Sequence, residues 1–237
     1  MGTAQGDPAS PRARFIEAGT RLLPVPLVPE IRLHQAAEPI ELWQRTERLA
    51  GQTGLGPPFW AFAWAGGQAL ARYLLDHPEV ARGRQVIDIA SGSGLVAIAA
   101  MLAGAAAVTA YDIDPLAVAA IGVNAAANGV RVPAICADIL DREDTPAPGT
   151  GLVLAADAFY QRDLAARVMR FLERARGRRA GTLAADFGRA YLPRDRLTPL
   201  ATYDVPGVGA LEDSDVKHTT IWALRERVSG PGRRRVR

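Results

Sequence analysis

"VIDIASGSGLVA", residues 86–97, opens as a continuous apolar run, the pattern of a strand buried on both faces of a parallel sheet, and passes through Ser91, Gly92, Ser93 and Gly94 into helix-forming residues. Gly92, Gly94 and Ala97 fit G-x-G-x-x-G/A, the turn between a first strand and its helix where bare backbone approaches a ligand. "AVTAYD" follows and ends on Asp112, about 20 residues beyond that turn, where a carboxylate can accept the hydroxyls of a ribose.

Working outward, the alternation continues. A helix is predicted from Ser93, then a helix from Pro115, capped by Asp114 and closed by Gly129, then "VPAICAD", "GLVLAAD", a helix around Asp163 to Arg174, and "GTLAADF". Buried strands joined by helical crossovers require a parallel sheet, so the fold class is a doubly wound, Rossmann-like α/β sheet with helices on both faces. "LATYDVP" and "HTTIWALRE" are separated by about a dozen turn-rich residues, too few for a crossover, and read as an antiparallel edge pair. Upstream, helices near Arg12 to Ala18 and from Glu38 to Ala50 form an N-terminal helical cap, with a third helix from Gly67 to Asp76. The expected division is a cap over 1–60, a main domain over 61–225, and a disordered basic tail over 226–237.

At 237 residues, 49% hydrophobic and 22% charged, the chain can bury a full core. Its formal charge of +3 is misleading, because the C-terminal stretch from Arg225 concentrates arginines and leaves the rest net acidic. A nucleic-acid partner is therefore not expected. Cys136 is the single cysteine and reads as a small buried residue; no Cys/His spacing suits a metal. The apolar run from Leu95 is too short for a membrane span, and no secretory signal is evident, so a cytoplasmic monomer is expected.

Asp88, Asp112, Asp138 and Asp157 close or nearly close successive strands and would line the carboxyl edge of the sheet, where such folds bind ligands. A carboxylate at Asp88 is costly unless it bonds to loop amides or faces a cation. A dinucleotide's pyrophosphate would be repelled there, whereas S-adenosylmethionine brings an ammonium and a sulfonium. Asp138 is placed to receive an adenine amine. Asp157 would orient an incoming amine, with Phe159 and Tyr160 walling the channel.

Here the chain resembles the class I S-adenosylmethionine-dependent methyltransferases. More narrowly, "PPFWAFAWAGGQALARYLLD", "YDIDPLAVAAIGVNAAANGV" and "ADAFY" resemble the lysine methyltransferases of the electron transfer flavoprotein beta subunit. The resemblance implies a seven-stranded sheet with an antiparallel last strand. It implies that Trp64 packs on the cofactor and that Asp88, with Ala90, Ser91, Gly92 and Gly94, serves its methionine part. By the same resemblance Asp112 and Ile113 serve the ribose, Asp138 and Ile139 the adenine, and Ala156 borders the methyl group. Asp157 and Tyr160 are the catalytic candidates. Ala90 stands where the general motif commonly has its first glycine, and a methyl group there restricts the turn. The expected activity is protein-lysine N-methylation of that flavoprotein subunit, with ribosomal protein also a substrate. Two alternatives stay open: a small-molecule amine N-methyltransferase, and a binding module without catalysis. Gln68 is either a pocket hydrogen-bonder or a helix-surface residue.

Overall fold

Residues of period two sort the central strands onto two faces, and the helices follow that sorting. The computed structural model describes residues 10–206 and 216–225. Helices are α1 (Pro11–Gly19), α2 (Pro39–Ala50), α3 (Ala65–Asp76), α4 (Leu95–Leu102), α5 (Pro115–Ala127) and α6 (Arg162–Gly177). Strands are β1 (Arg21–Val25), β2 (Val28–Gln35), β3 (Gln85–Ile89), β4 (Ala107–Asp112), β5 (Ala134–Cys136), β6 (Leu152–Ala156), β7 (Gly181–Asp186), β8 (Leu197–Pro206) and β9 (Val216–Leu224).

The seven-stranded sheet has the order β5-β4-β3-β6-β7-β9-β8. β3 pairs in parallel with β4 on one side and β6 on the other, and β9 runs antiparallel to both β7 and β8. This matches the seven strands and antiparallel last strand expected. Val86, Leu152, Leu154, Leu183 and Ala185 pack with α3, α4 and α5, while Ile87, Ile89, Val153, Ala155 and Ala184 pack with α6. At about 25 cal/mol per Å² of apolar surface, these two layers supply most of the drive for folding.

Local signals place the helix ends. Ser10 accepts from the Ala13 N–H to start α1, and Asp114 accepts from the Leu116 N–H to start α5, each ahead of a proline suited to a first turn. Gly129 has φ 67 just past α5, as expected.

The cap differs from the expected pair of helices, because β1 and β2 form an antiparallel hairpin between them. Pro24, Pro26 and Pro29 argue against strand in this stretch, yet a two-stranded ribbon consists only of edges and tolerates them. The free edge of β2 is covered by Asn124 of α5 and by Asn128 at its C-terminal cap. Asn128 exchanges two bonds with the Arg32 backbone (2.9 and 2.7 Å), and the Asn124 Oδ1 accepts from the His34 N–H at 2.8 Å. The Asn124 Nδ2 meanwhile donates to the Ser93 carbonyl at 2.8 Å, tying cap to glycine turn. Gln68 is neither of the things expected of it: buried, it donates to the Ala63 carbonyl and accepts from the Leu27 N–H, pinning the hairpin turn to α3.

Cys136 is exposed, a correction that follows from β5 being an edge strand of three residues. No helix among the described residues is long and apolar enough to cross a membrane. The expected tail lies outside the described residues. Asn124 is fully buried, and Asn124→Ala leaves two backbone groups unpaired; a loss of about 2 kcal/mol in chemical denaturation is expected.

Candidate active site

Parallel pairing of β3 with both β4 and β6 opens a crevice at their carboxyl ends, and a cavity of about 840 Å³ occupies it. Its lining includes Trp64, Asp88, Ala90, Ser91, Gly92, Asp112, Ile113, Asp138, Ile139, Ala156, Asp157 and Tyr160. Gly94 is the exception among the anticipated residues. It has φ 82 at the start of α4, and a Cβ there would meet Ile121 at 3.1 Å, so it serves turn geometry and packing without lining the cavity.

Ala90 takes φ 50, the left-handed region, despite its methyl group. The turn it begins continues through Gly92 at φ 54, whose N–H donates to the Asp112 Oδ2 at 2.8 Å. The Asp112 Oδ1 accepts from the Asp114 N–H at 3.0 Å. A carboxylate offers about four lone-pair sites, so capacity remains for a ribose.

Asp88 is 1% exposed and its face of β3 turns toward α4. Burial pushes its carboxyl up to about 7; the Ser91 hydroxyl donated to it pulls the other way, and the Asp112 charge pushes up further. Burial likewise raises Asp112, against bonds from the Asp114 and Gly92 N–H groups. Neither carboxylate has an ion-pair partner among the described residues. One buried and one half-buried acid without a cation, facing one cavity, fit a ligand carrying both positive charge and a ribose.

Asp138 lies two residues beyond the end of β5, correcting its expected place on the strand. Its Oδ2 pairs with Arg167 of α6 at 2.7 Å and its Oδ1 accepts from the Leu140 N–H at 3.2 Å. An adenine amine would share this carboxylate with Arg167, beside buried Ile139 and exposed Ile113.

Asp157 follows β6 directly, at φ 55. It is not a free carboxylate: Oδ1 accepts from the Arg189 Nη1 at 2.7 Å, and Oδ2 from the Gly67 N–H in the first turn of α3 at 2.8 Å. Burial raises its pKa, and the Arg189 charge and the bonds from Arg189 and Gly67 oppose that. Phe159, expected in the channel wall, is fully buried in the α6 layer; the wall is built instead by Phe59, Trp64 and Tyr160. The Phe59 ring lies 5.8 Å from that of Trp64 and 5.9 Å from that of Tyr160, and the Trp64 indole donates to the Phe59 carbonyl.

Arg189, Asp186, Gly66 and Gly67 escaped the sequence reading. The available signal was the repeat "LAAD" at 154–157 and 183–186, whose strands pair in register, Ala156 beside Ala185, so that two carboxylates meet. A Cβ on Gly66 would lie 2.6 Å from the Asp157 Oδ2 and 2.8 Å from the Ala185 carbonyl, which restricts that position to glycine.

Sheet order, glycine turn and acidic edge together give a Rossmann-like crevice whose residues fit S-adenosylmethionine as cofactor. A family model for ribosomal protein L11 methyltransferase matches residues 68–155. The electron transfer flavoprotein beta subunit lysine methyltransferase of Xenopus laevis is 35% identical over 216 residues, covering 89% of this chain and 85% of that protein. The Homo sapiens protein of that name is 34% identical over 205 residues, covering 84% and 76%. The solved structure of a Pyrococcus horikoshii protein aligns with a TM-score of 0.50 and 12% identity over 79% of this chain and 98% of that one, a likeness of fold. The chain belongs to the electron transfer flavoprotein beta subunit lysine methyltransferase family.

Two outcomes are expected here. Ala90→Gly relieves a left-handed alanine and raises stability by about 1 kcal/mol in thermal or chemical unfolding, with cofactor affinity retained. Because Asp88 is protonated below about 7 and ionised above, S-adenosylmethionine affinity measured by calorimetry rises up to about tenfold from pH 6 to pH 8, and Asp88→Asn flattens that rise.

Proposed function

We propose that this methyltransferase transfers a methyl group to lysine side chains of the electron transfer flavoprotein beta subunit. The observation that carries the proposal is the paired Asp157 in the acidic crevice, which Phe59, Trp64 and Tyr160 also line, in a chain whose relatives carry that substrate in their names. A ribosomal protein is a further candidate acceptor, since the partial relatives from Symbiobacterium thermophilum and Pseudomonas paraeruginosa are named ribosomal protein L11 methyltransferases.

S-adenosylmethionine, when bound, supplies an electrophilic methyl group on a sulfonium. Asp112 and Ile113 would hold its ribose, the Ala90 to Gly92 turn with Asp88 its methionine part, Asp138 and Ile139 its adenine, with Trp64 and Ala156 alongside. Lysine arrives protonated, with a reference pKa near 10.4, and only its neutral amine can attack. Each Asp157 oxygen keeps a free lone pair beyond its bond to Arg189 or Gly67, enough to accept from the amine and aim it. Tyr160, 45% exposed at the rim, offers its ring to the alkyl chain and its hydroxyl to the nitrogen. The proton passes to water through the open mouth. Alignment of nitrogen with the reacting carbon supplies most of the acceleration.

In this reading residues 61–225 form the catalytic domain, the expected cap over 1–60 contributes a wall of the cavity through Arg12, Thr46 and residues 55–60, and the protein works as a cytoplasmic monomer. Purified protein, S-adenosylmethionine and the flavoprotein beta subunit should yield a subunit heavier by whole methyl groups on lysine in mass spectrometry. Asp157→Ala should lower turnover at least about a hundredfold while leaving the Kd for S-adenosylhomocysteine within about twofold. An unmodified subunit, with the cofactor bound normally, would remove the substrate assignment.

A further inference from the structure

Two like charges side by side in a nearly dry site are costly, and the parallel register of β6 and β7 forces that arrangement on Asp157 and Asp186. Arg189 resolves it. One nitrogen, Nη1, bonds to the Asp157 Oδ1 at 2.7 Å and to the Asp186 Oδ2 at 2.8 Å, and only 16% of the Arg189 side chain is exposed. The Asp186 Oδ1 accepts from the Gly188 and Arg189 N–H groups, both at 2.7 Å, which fixes the loop that carries the guanidinium. Phe187 supports it from beneath, with the guanidinium carbon 4.1 Å from the ring centroid; the Lys217 ammonium lies 4.8 Å from the same ring.

We propose that Arg189 is a positioning residue for methyl transfer: it clamps Asp157 to Asp186 and so presents the Asp157 carboxylate, correctly turned, to the acceptor amine. The inference rests on the amine-methylating reading above. The groups facing Asp157 are Arg189 and Asp186 from β7 and its loop and the first turn of α3 through Gly67. Arg189 is the one cation among them. Without it, burial would keep Asp157 protonated to higher pH, and a protonated carboxyl neither orients an ammonium nor accepts from it on equal terms. Any Asp157 that did ionise, unshielded, would stabilise the lysine ammonium against deprotonation. Both effects move activity in the alkaline direction.

The test compares wild type, Arg189→Met and Arg189→Lys in steady-state methyl transfer from pH 6.5 to 9.5. The flavoprotein beta subunit is one acceptor and poly-L-lysine the other, with S-adenosylhomocysteine calorimetry in parallel. Arg189→Met should lower kcat at least about tenfold with KM and the S-adenosylhomocysteine Kd within about twofold, and move the rising limb of kcat up by about one pH unit. Arg189→Lys, which keeps the charge but loses the flat guanidinium stacked on Phe187, should fall between the two. Unchanged kcat and an unmoved limb in both variants would overturn the inference. So would a loss explained wholly by weaker S-adenosylhomocysteine binding and a lower Tm, the signature of a merely structural arginine. Failure of wild type on both acceptors would instead contradict the amine-methylating reading, and this inference with it.

Discussion

The constraint on which everything else depends is the parallel pairing of β3 with β4 on one flank and β6 on the other. Parallel neighbours end at the same edge, so side chains that terminate each strand are delivered to one rim, and chain reversals on opposite sides of β3 leave a crevice there. Burial on both faces makes the pairing strong, as the two layers of Val, Ile, Leu and Ala around it show. Whatever is placed at the ends of those strands is held as firmly as the core itself.

Acidic side chains are what this chain places there, and the fold deals with each differently. Asp138 is answered by Arg167, and Asp157 and Asp186 share Arg189. Asp88 and Asp112 are answered only by backbone amides and the Ser91 hydroxyl. The uncompensated pair marks where positive charge is missing, and the compensated pair marks where a carboxylate must hold its direction. Uncompensated acids of this kind are the pattern expected where a site is built to receive a cation.

The same economy explains the backbone. Ala90 and Asp157, at φ 50 and 55, are non-glycine residues in the left-handed region, and both lie immediately after central strands at the cavity wall. Strain of this kind persists only where surrounding structure enforces it. Around Asp157 the enforcement is visible: its N–H donates to the Ala185 carbonyl, its oxygens are held by Arg189 and Gly67, and Gly66 leaves room for nothing larger.

Much of this could be read from the amino-acid order, because the informative interactions are local. Continuous apolar runs, Asp114 before Pro115, and the spacing from Gly92 to Asp112 each express their structure within a few residues or one crossover. The hairpin was hidden by prolines that only edge strands admit. Phe159 was misplaced because strand-end geometry does not reveal whether the next ring turns to the α6 layer or to the cavity. Arg189 was invisible for a deeper reason: its partner lies 32 residues away, and the need for it arises only once register sets two carboxylates together. The most direct measurement of the central claim is a crystal structure with S-adenosylhomocysteine bound. The ribose hydroxyls should lie on Asp112 and the amino group of the methionine part near Asp88; a ligand held elsewhere, with that crevice empty, would contradict it.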